Sequence, residues 1–158
     1  MTTTAGTTRP PITVQSQALG VVEVDPERVI TACEPLAGFP GCSAYALIDH
    51  ARADGTPNPS VAWLQALERP FQAFVVTDPW SVFPEYAPEI ADADAAQLEL
   101  GAFEDARVLA IVTVPPNPSD ITVNLRAPVV VNVARRIAKQ VVLLNDEYHT
   151  RHPVNRSG

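Results

Sequence analysis

His149 and His152, with Glu147 close by in "EYHTRHP", come nearest to a metal-ligand set in this chain. Regular elements converge such ligands from i and i+4 on a helix or from i and i+2 on a strand. An i, i+3 spacing followed by Pro153 in polar surroundings predicts an extended terminal loop and no bound metal. His50 stands alone and is read as a surface residue. The adjacent carboxylates Glu104 and Asp105 have the types for acid–base work, but placed after a helix they are expected to be solvated. Cys33 and Cys42 match neither CxxC nor a common zinc spacing and read as reduced packing residues. Nucleophilic catalysis needs a base and an oxyanion donor around its Ser, Cys or Thr. No G-x-S-x-G, P-loop or glycine-rich phosphate loop occurs. The expectation is therefore a protein without a catalytic, metal or cofactor site, and not an enzyme.

Binding chemistry is better represented. "DPWSVFPEY", residues 78 to 86, holds Trp80, Phe83 and Tyr86, three of the ten aromatics, beside Pro79 and Pro84. Two prolines this close do not suit a central strand, so the stretch reads as an exposed turn. Interface energy concentrates in a few well-packed residues, often aromatic. Trp80 is expected to insert into the core and hold the loop, while Phe83 and Tyr86, with Pro84 and Glu85, face a partner. From Pro70 to Ala106 there is no Lys or Arg, yet eight of the eighteen acids lie there, so these aromatics sit beside negative charge. A net charge of -7 argues against direct contact with nucleic acid or an anionic membrane and favours a basic partner. The first residues lack the apolar run of a signal peptide and no window reaches the roughly 18 apolar residues of a membrane span, so a cytoplasmic location is expected.

The elements that must position these residues are strands. Thr-rich residues 1 to 11 and the tail 155 to 158 are expected to be disordered, leaving a single domain over 12 to 154. Short Val/Ile/Leu clusters bounded by Pro, Gly, Asn or Asp predict a mainly β domain. Strands are expected near 12–17, 20–24, 29–33, 44–48, 61–67, 71–77, 108–114, 121–124, 127–133 and 140–144. "GTPNPS" (55–60) reads as the turn of a hairpin pairing 44–48 with 61–67. Trp63 and Phe74, within regular strand patterns, are assigned to the core. Pro128 interrupts a good strand pattern and marks an edge or a break. "DADAAQLEL" (92–100) predicts one helix, with Asp92 as N-cap and Gly101 closing it. Asn124 and Asn132 stand in strand-like runs that disfavour Asn. Each either satisfies a loose backbone group or lies on an edge that receives a partner.

The segment "WLQALERPFQAFVVTDPWSVFPEY" (63–86) resembles the flagellar assembly factor FliW family. "LAIVTVP", "TVNLRAPVVVN", "KQVVL" and "YHTRHP" continue the resemblance in order, so that it spans about residues 29 to 154. Departures are Ala32 and Pro35, where an aromatic and a Gly are typical, and Ala138, where Gly often precedes "KQVVL". The resemblance implies a small antiparallel β-barrel or roll with one or two short helices. It also implies a non-catalytic partner switch, which binds the translational regulator CsrA, frees flagellin mRNA from it, and binds flagellin in competition. Such a protein is expected to be monomeric alone. The expected partner-binding residues are Phe83, Pro84, Glu85, Tyr86, Asn124, Arg126, Asn132, Arg151 and His152. The alternative is a β-barrel that binds a small ligand, with aromatics at its mouth.

Overall fold

The structure, a computed structural model, describes residues 11–16, 20–34, 36, 43–51, 57–68, 71, 73–102, 105–117 and 120–153, with the side chains of 49–51 and 57–60 excepted. Its strands are β1 (Ile12–Ser16), β2 (Gly20–Val24), β3 (Val29–Ala32), β4 (Ala44–Ala51), β5 (Pro57–Ala66), β6 (Ala73–Thr77), β7 (Ala106–Thr113), β8 (Thr122–Val123), β9 (Val129–Asn132), β10 (Ile137–Gln140) and β11 (His152–Pro153). Antiparallel pairing runs from β3 through β4, β5 and β6 to β7, then from β7 to β9 and β9 to β10. A parallel β10–β3 pairing closes the ring at seven strands. Among the described residues this is a mainly β barrel with a short α-helix, α1 (Asp92–Gln97), and 3-10 turns, the fold class the family resemblance implied, apart from the parallel closure.

Alternation along the strands explains the closure. On β5, Ala62, Leu64 and Ala66 point inward and pack with Tyr45, Leu47, Val76, Leu109, Val129 and Val131. The barrel interior is thus filled by side chains. β7 and β9 are apolar on both faces, because Val108, Ala110 and Val130 point outward under a second layer containing Tyr86, Leu98, Leu125, Val141 and Leu143. Burial on both sides is why "VLAIV" and "VVVN" read as continuous apolar runs rather than alternating ones. Elsewhere on the outside, the β1–β2 hairpin covers Ala46 with Val14 and Val24.

Several local readings change. The predicted hairpin pairs Tyr45 with Ala66 and Ile48 with Trp63, but Pro57 to Ser60 belong to β5 rather than to its turn. Proline is tolerated as the first residue of a strand, where its missing donor costs least. Trp63 is half-buried on the outward side of β5, whereas Phe74 packs partly buried against the barrel core. Pro128 does separate β8 from β9. The last barrel strand is 137–140, not 140–144: beyond it Val141 and Leu143 donate singly to the Pro128 and Arg126 carbonyls, because their interrupted neighbour offers no continuous ladder. Ala138 lies inside β10, opposite Val131, and the positive φ of 56° in the preceding turn falls on Arg136, so Ala138 carries no strain.

The helix differs at both ends. Ala91 occupies the N-cap without a side-chain bond, and Asp92 is already helical. Glu99 at φ 57°, rather than Gly101, supplies the left-handed closing residue. Its N–H donates to the Ala96 carbonyl and that of Leu100 to the Ala95 carbonyl, a double closure typical of helix ends. The expectations for residues 1–10, Pro35, Cys42, Glu104, positions 55–56 and the tail 155–158 lie outside the described residues, as does the His50 side chain.

Candidate functional site

The loop 78–91 is built by its own sequence. Asp78 Oδ1 accepts from the Trp80 N–H at 3.0 Å, and Pro79 presets φ at the start of the 3-10 turn Pro79–Ser81. The Phe83 N–H then donates to the Pro79 carbonyl and the Tyr86 N–H to the Phe83 carbonyl. Trp80 closes this coil by donating its indole N–H to the Tyr86 carbonyl at 2.7 Å. Its ring lies 5.6 Å from that of Tyr86. Trp80 thus holds the loop, as expected, but it is only half-buried and packs against the second layer instead of inserting into the core.

A C-terminal segment straps the loop to the barrel. Asn145, buried, accepts from the Glu89 N–H at 2.7 Å and donates to the Ala87 carbonyl at 3.0 Å. Tyr148 accepts from the Ala87 N–H at 2.8 Å, and its ring lies 4.8 Å from that of Tyr86. The His149 carbonyl receives the N–H groups of Leu125 and Arg126, after which β11 pairs His152 with Val123. His152 meets Phe83 edge-on at 5.5 Å. Between loop and strap runs an open groove of about 730 Å³, lined by Phe83, Pro84, Glu85, Tyr86, Leu125, Glu147, Tyr148 and His152, with Ser81 and Val82 at its end.

Five of the nine expected partner-binding residues, Phe83, Pro84, Glu85, Tyr86 and His152, therefore meet in one groove. Tyr86 is not displayed as expected: it is 4% exposed, and its hydroxyl donates to the Leu125 carbonyl at 2.8 Å. It forms the floor, and burial raises its phenol pKa further above the ordinary 10.0. Asn132 lies outside the groove. At 3% exposure its amide donates to the Leu98 and Glu99 carbonyls, satisfying the end of α1, and its oxygen accepts from the Arg135 N–H. That saturation explains an Asn in a strand and leaves no polar atom for a partner. Asn124 accepts from the Ala127 N–H and shapes the turn before β9. Arg126 is half-buried and faces Asp146 at 3.7 Å, while Arg151 is exposed.

The family model described as FliW protein matches residues 13–154, covering barrel, loop and strap together. The chain belongs to the FliW family. Among its relatives is a flagellar assembly factor FliW of Bdellovibrio bacteriovorus, 37% identical over 89% of this chain and 78% of the relative. Another, from Natranaerobius thermophilus, is 37% identical over 89% of this chain and 91% of the relative. A crystal structure of the flagellar assembly factor FliW superposes with a TM-score of 0.78 at 29% identity, covering 90% of this chain and 96% of that one.

In this FliW chain the histidine pair is an electrostatic element. Among the described residues no three His, Cys, Asp or Glu side chains converge as a metal set. Instead the rings of His149 and His152 stack 5.2 Å apart. Burial, and secondarily the charge of His149, lowers the His152 pKa from its ordinary 6.5. The folded protein thus resists a proton that the unfolded chain accepts, so stability should be lost as pH falls below about 6.5. The urea midpoint of the wild type is expected to drop between pH 7.5 and 5.5 by more than that of His152→Phe, and equal drops would assign the effect elsewhere.

Asn145 and Tyr148, which hold the FliW loop in place, were not among the expected residues. An isolated Asn and Tyr in the polar run "NDEYHT" carry no periodic signal; their partners at 87 and 89 are remote in sequence.

Proposed function

We propose that this FliW-family protein is a non-catalytic, cytoplasmic flagellar assembly factor that binds CsrA, relieves its repression of flagellin mRNA, and binds flagellin in exchange. The observation that carries the reading is the distribution of charge. Within the acidic stretch, Asp94 is neutralised by Lys139 and Glu99 faces Arg135 at 3.4 Å. Glu85, in the groove lining, and Glu89 and Asp92, further along the stretch, are exposed. An RNA-binding regulator holds phosphates with cations, so a docked acidic surface opposes RNA over roughly one Debye length, about 8 Å at physiological salt. A coupling of about 1–3 kcal/mol lowers RNA affinity about 5- to 150-fold.

The test compares RNA affinity of the cognate CsrA with wild-type protein and with the triple variant Glu85→Gln, Glu89→Gln, Asp92→Asn. All three side chains are exposed, so the fold should persist. At concentrations that saturate CsrA with the variant, weakened RNA release is the expected result. Full RNA release by the triple variant would reject repulsion by these acids.

A further inference from the structure

The groove has an apolar floor and a charged rim, and the two together restrict what can occupy it. Phe83, Tyr86, Leu125 and Tyr148 line it, and the exposed carboxylates Glu85 and Glu147 stand at its loop side and strap side. His152 Nε2, on the wall, is buried with no hydrogen-bond partner among the described residues. A buried polar atom left unpaired is costly, and an occupant that supplies the partner recovers that cost.

We infer that the groove receives a short protein segment presenting one aromatic or long aliphatic side chain directly beside a Lys or Arg. The apolar side chain lies between Phe83 and Tyr148, the cation sits between Glu85 and Glu147, and a polar group of the segment bonds His152 Nε2. Charge complementarity decides the occupant: among the described residues no Lys or Arg lines the groove, so an acidic or phosphorylated segment would leave both rim carboxylates repelling it. Apolar contact alone would not select between segments, whereas the rim does. The choice of a protein segment rests on the partner-switch reading above.

The test uses neither CsrA, flagellin nor RNA, so its outcome is separable from that reading. Full-length protein labelled with 15N is titrated with three end-blocked pentapeptides, Gly-Arg-Phe-Arg-Gly, Gly-Glu-Phe-Glu-Gly and Gly-Ser-Phe-Ser-Gly, while amide shifts are followed. The Arg peptide is expected to bind tightest, with shifts confined to residues 81–86, 125 and 147–152. The variant Glu85→Gln, Glu147→Gln should weaken it by about 3- to 10-fold, as for two exposed ion pairs, and added salt should do the same. His152→Phe keeps a ring on the wall but removes the nitrogen, and is expected to weaken all three peptides alike. Equal binding of the Glu and Arg peptides, or unchanged affinity in the Glu85→Gln, Glu147→Gln protein, overturns the inference. So do shifts centred away from the groove. If the Arg peptide binds as expected but the acidic triple variant still releases RNA fully, the groove assignment stands and the repulsion mechanism falls.

Discussion

Tyr86→Ala is expected to destabilise the protein by about 3–5 kcal/mol, the range for removing a large buried aromatic side chain. Tyr86 is the point where loop, strap and barrel join: its ring packs on Trp80 and Tyr148, its carbonyl receives the Trp80 indole, and its hydroxyl reaches the Leu125 carbonyl. A loss of this size is a large part of the total stability of a domain, about 5–15 kcal/mol. Tyr86→Phe keeps the ring and leaves only the Leu125 carbonyl without its donor, so a cost of about 1–3 kcal/mol is expected. Urea denaturation of both variants measures the difference. If Tyr86→Ala cost no more than Tyr86→Phe, the ring would not be acting as the floor of the groove. The pair also guards the binding tests, since lost affinity in Tyr86→Ala reports on folding before it reports on contact.

Lys139→Ala is the second large effect, with an expected cost of about 2–3 kcal/mol, below the range for a fully buried ion pair because some solvent reaches this one. The Lys139 side chain is 13% exposed and that of Asp94 18%. The ammonium donates to Asp94 Oδ1 at 2.5 Å and to Gln97 Oε1 at 2.7 Å, joining β10 to α1, with Glu34 at 3.6 Å. The hydrogen bond to Asp94 raises the lysine pKa above its ordinary 10.5, so the cation persists across the physiological range. Truncation strands a largely buried carboxylate, which explains why the single variant should be worse than the pair removed together. A double-mutant cycle with Asp94→Asn should return a favourable coupling. Strict additivity would show that the contact contributes nothing. The variant's effect on partner binding should be small, because α1 closes its far end on Asn132 rather than on the groove.

Much of the barrel was legible because inward positions alternate and their boundaries are marked by turn residues. The pairing of 44–48 with 61–67 and the break at Pro128 follow from pattern alone. Errors gathered where a remote neighbour overrides local preference. Glu99, not Gly101, closes α1, because Asn132 from β9 binds the carbonyls there and Arg135 faces the Glu99 carboxylate. The extended 141–144 stretch looks like a strand and has alternating burial, yet it makes only isolated backbone bonds, to the carbonyls of Pro128, Arg126 and Glu89.

"DPWSVFPEY" marks the boundary between the two kinds of information. Its prolines, its Asp78 cap and the acids that follow were sufficient to specify a tight, non-strand loop carrying aromatics beside negative charge, because each acts on atoms a few residues away. Phe83 and Tyr86 look interchangeable at that range. Which of them turns inward depends on the Leu125 carbonyl and the Tyr148 ring, delivered by elements far along the chain. Folding therefore placed Tyr86 in the floor and left Phe83 on the wall, and it brought Glu147 and His152 opposite Glu85, a juxtaposition with no local signature.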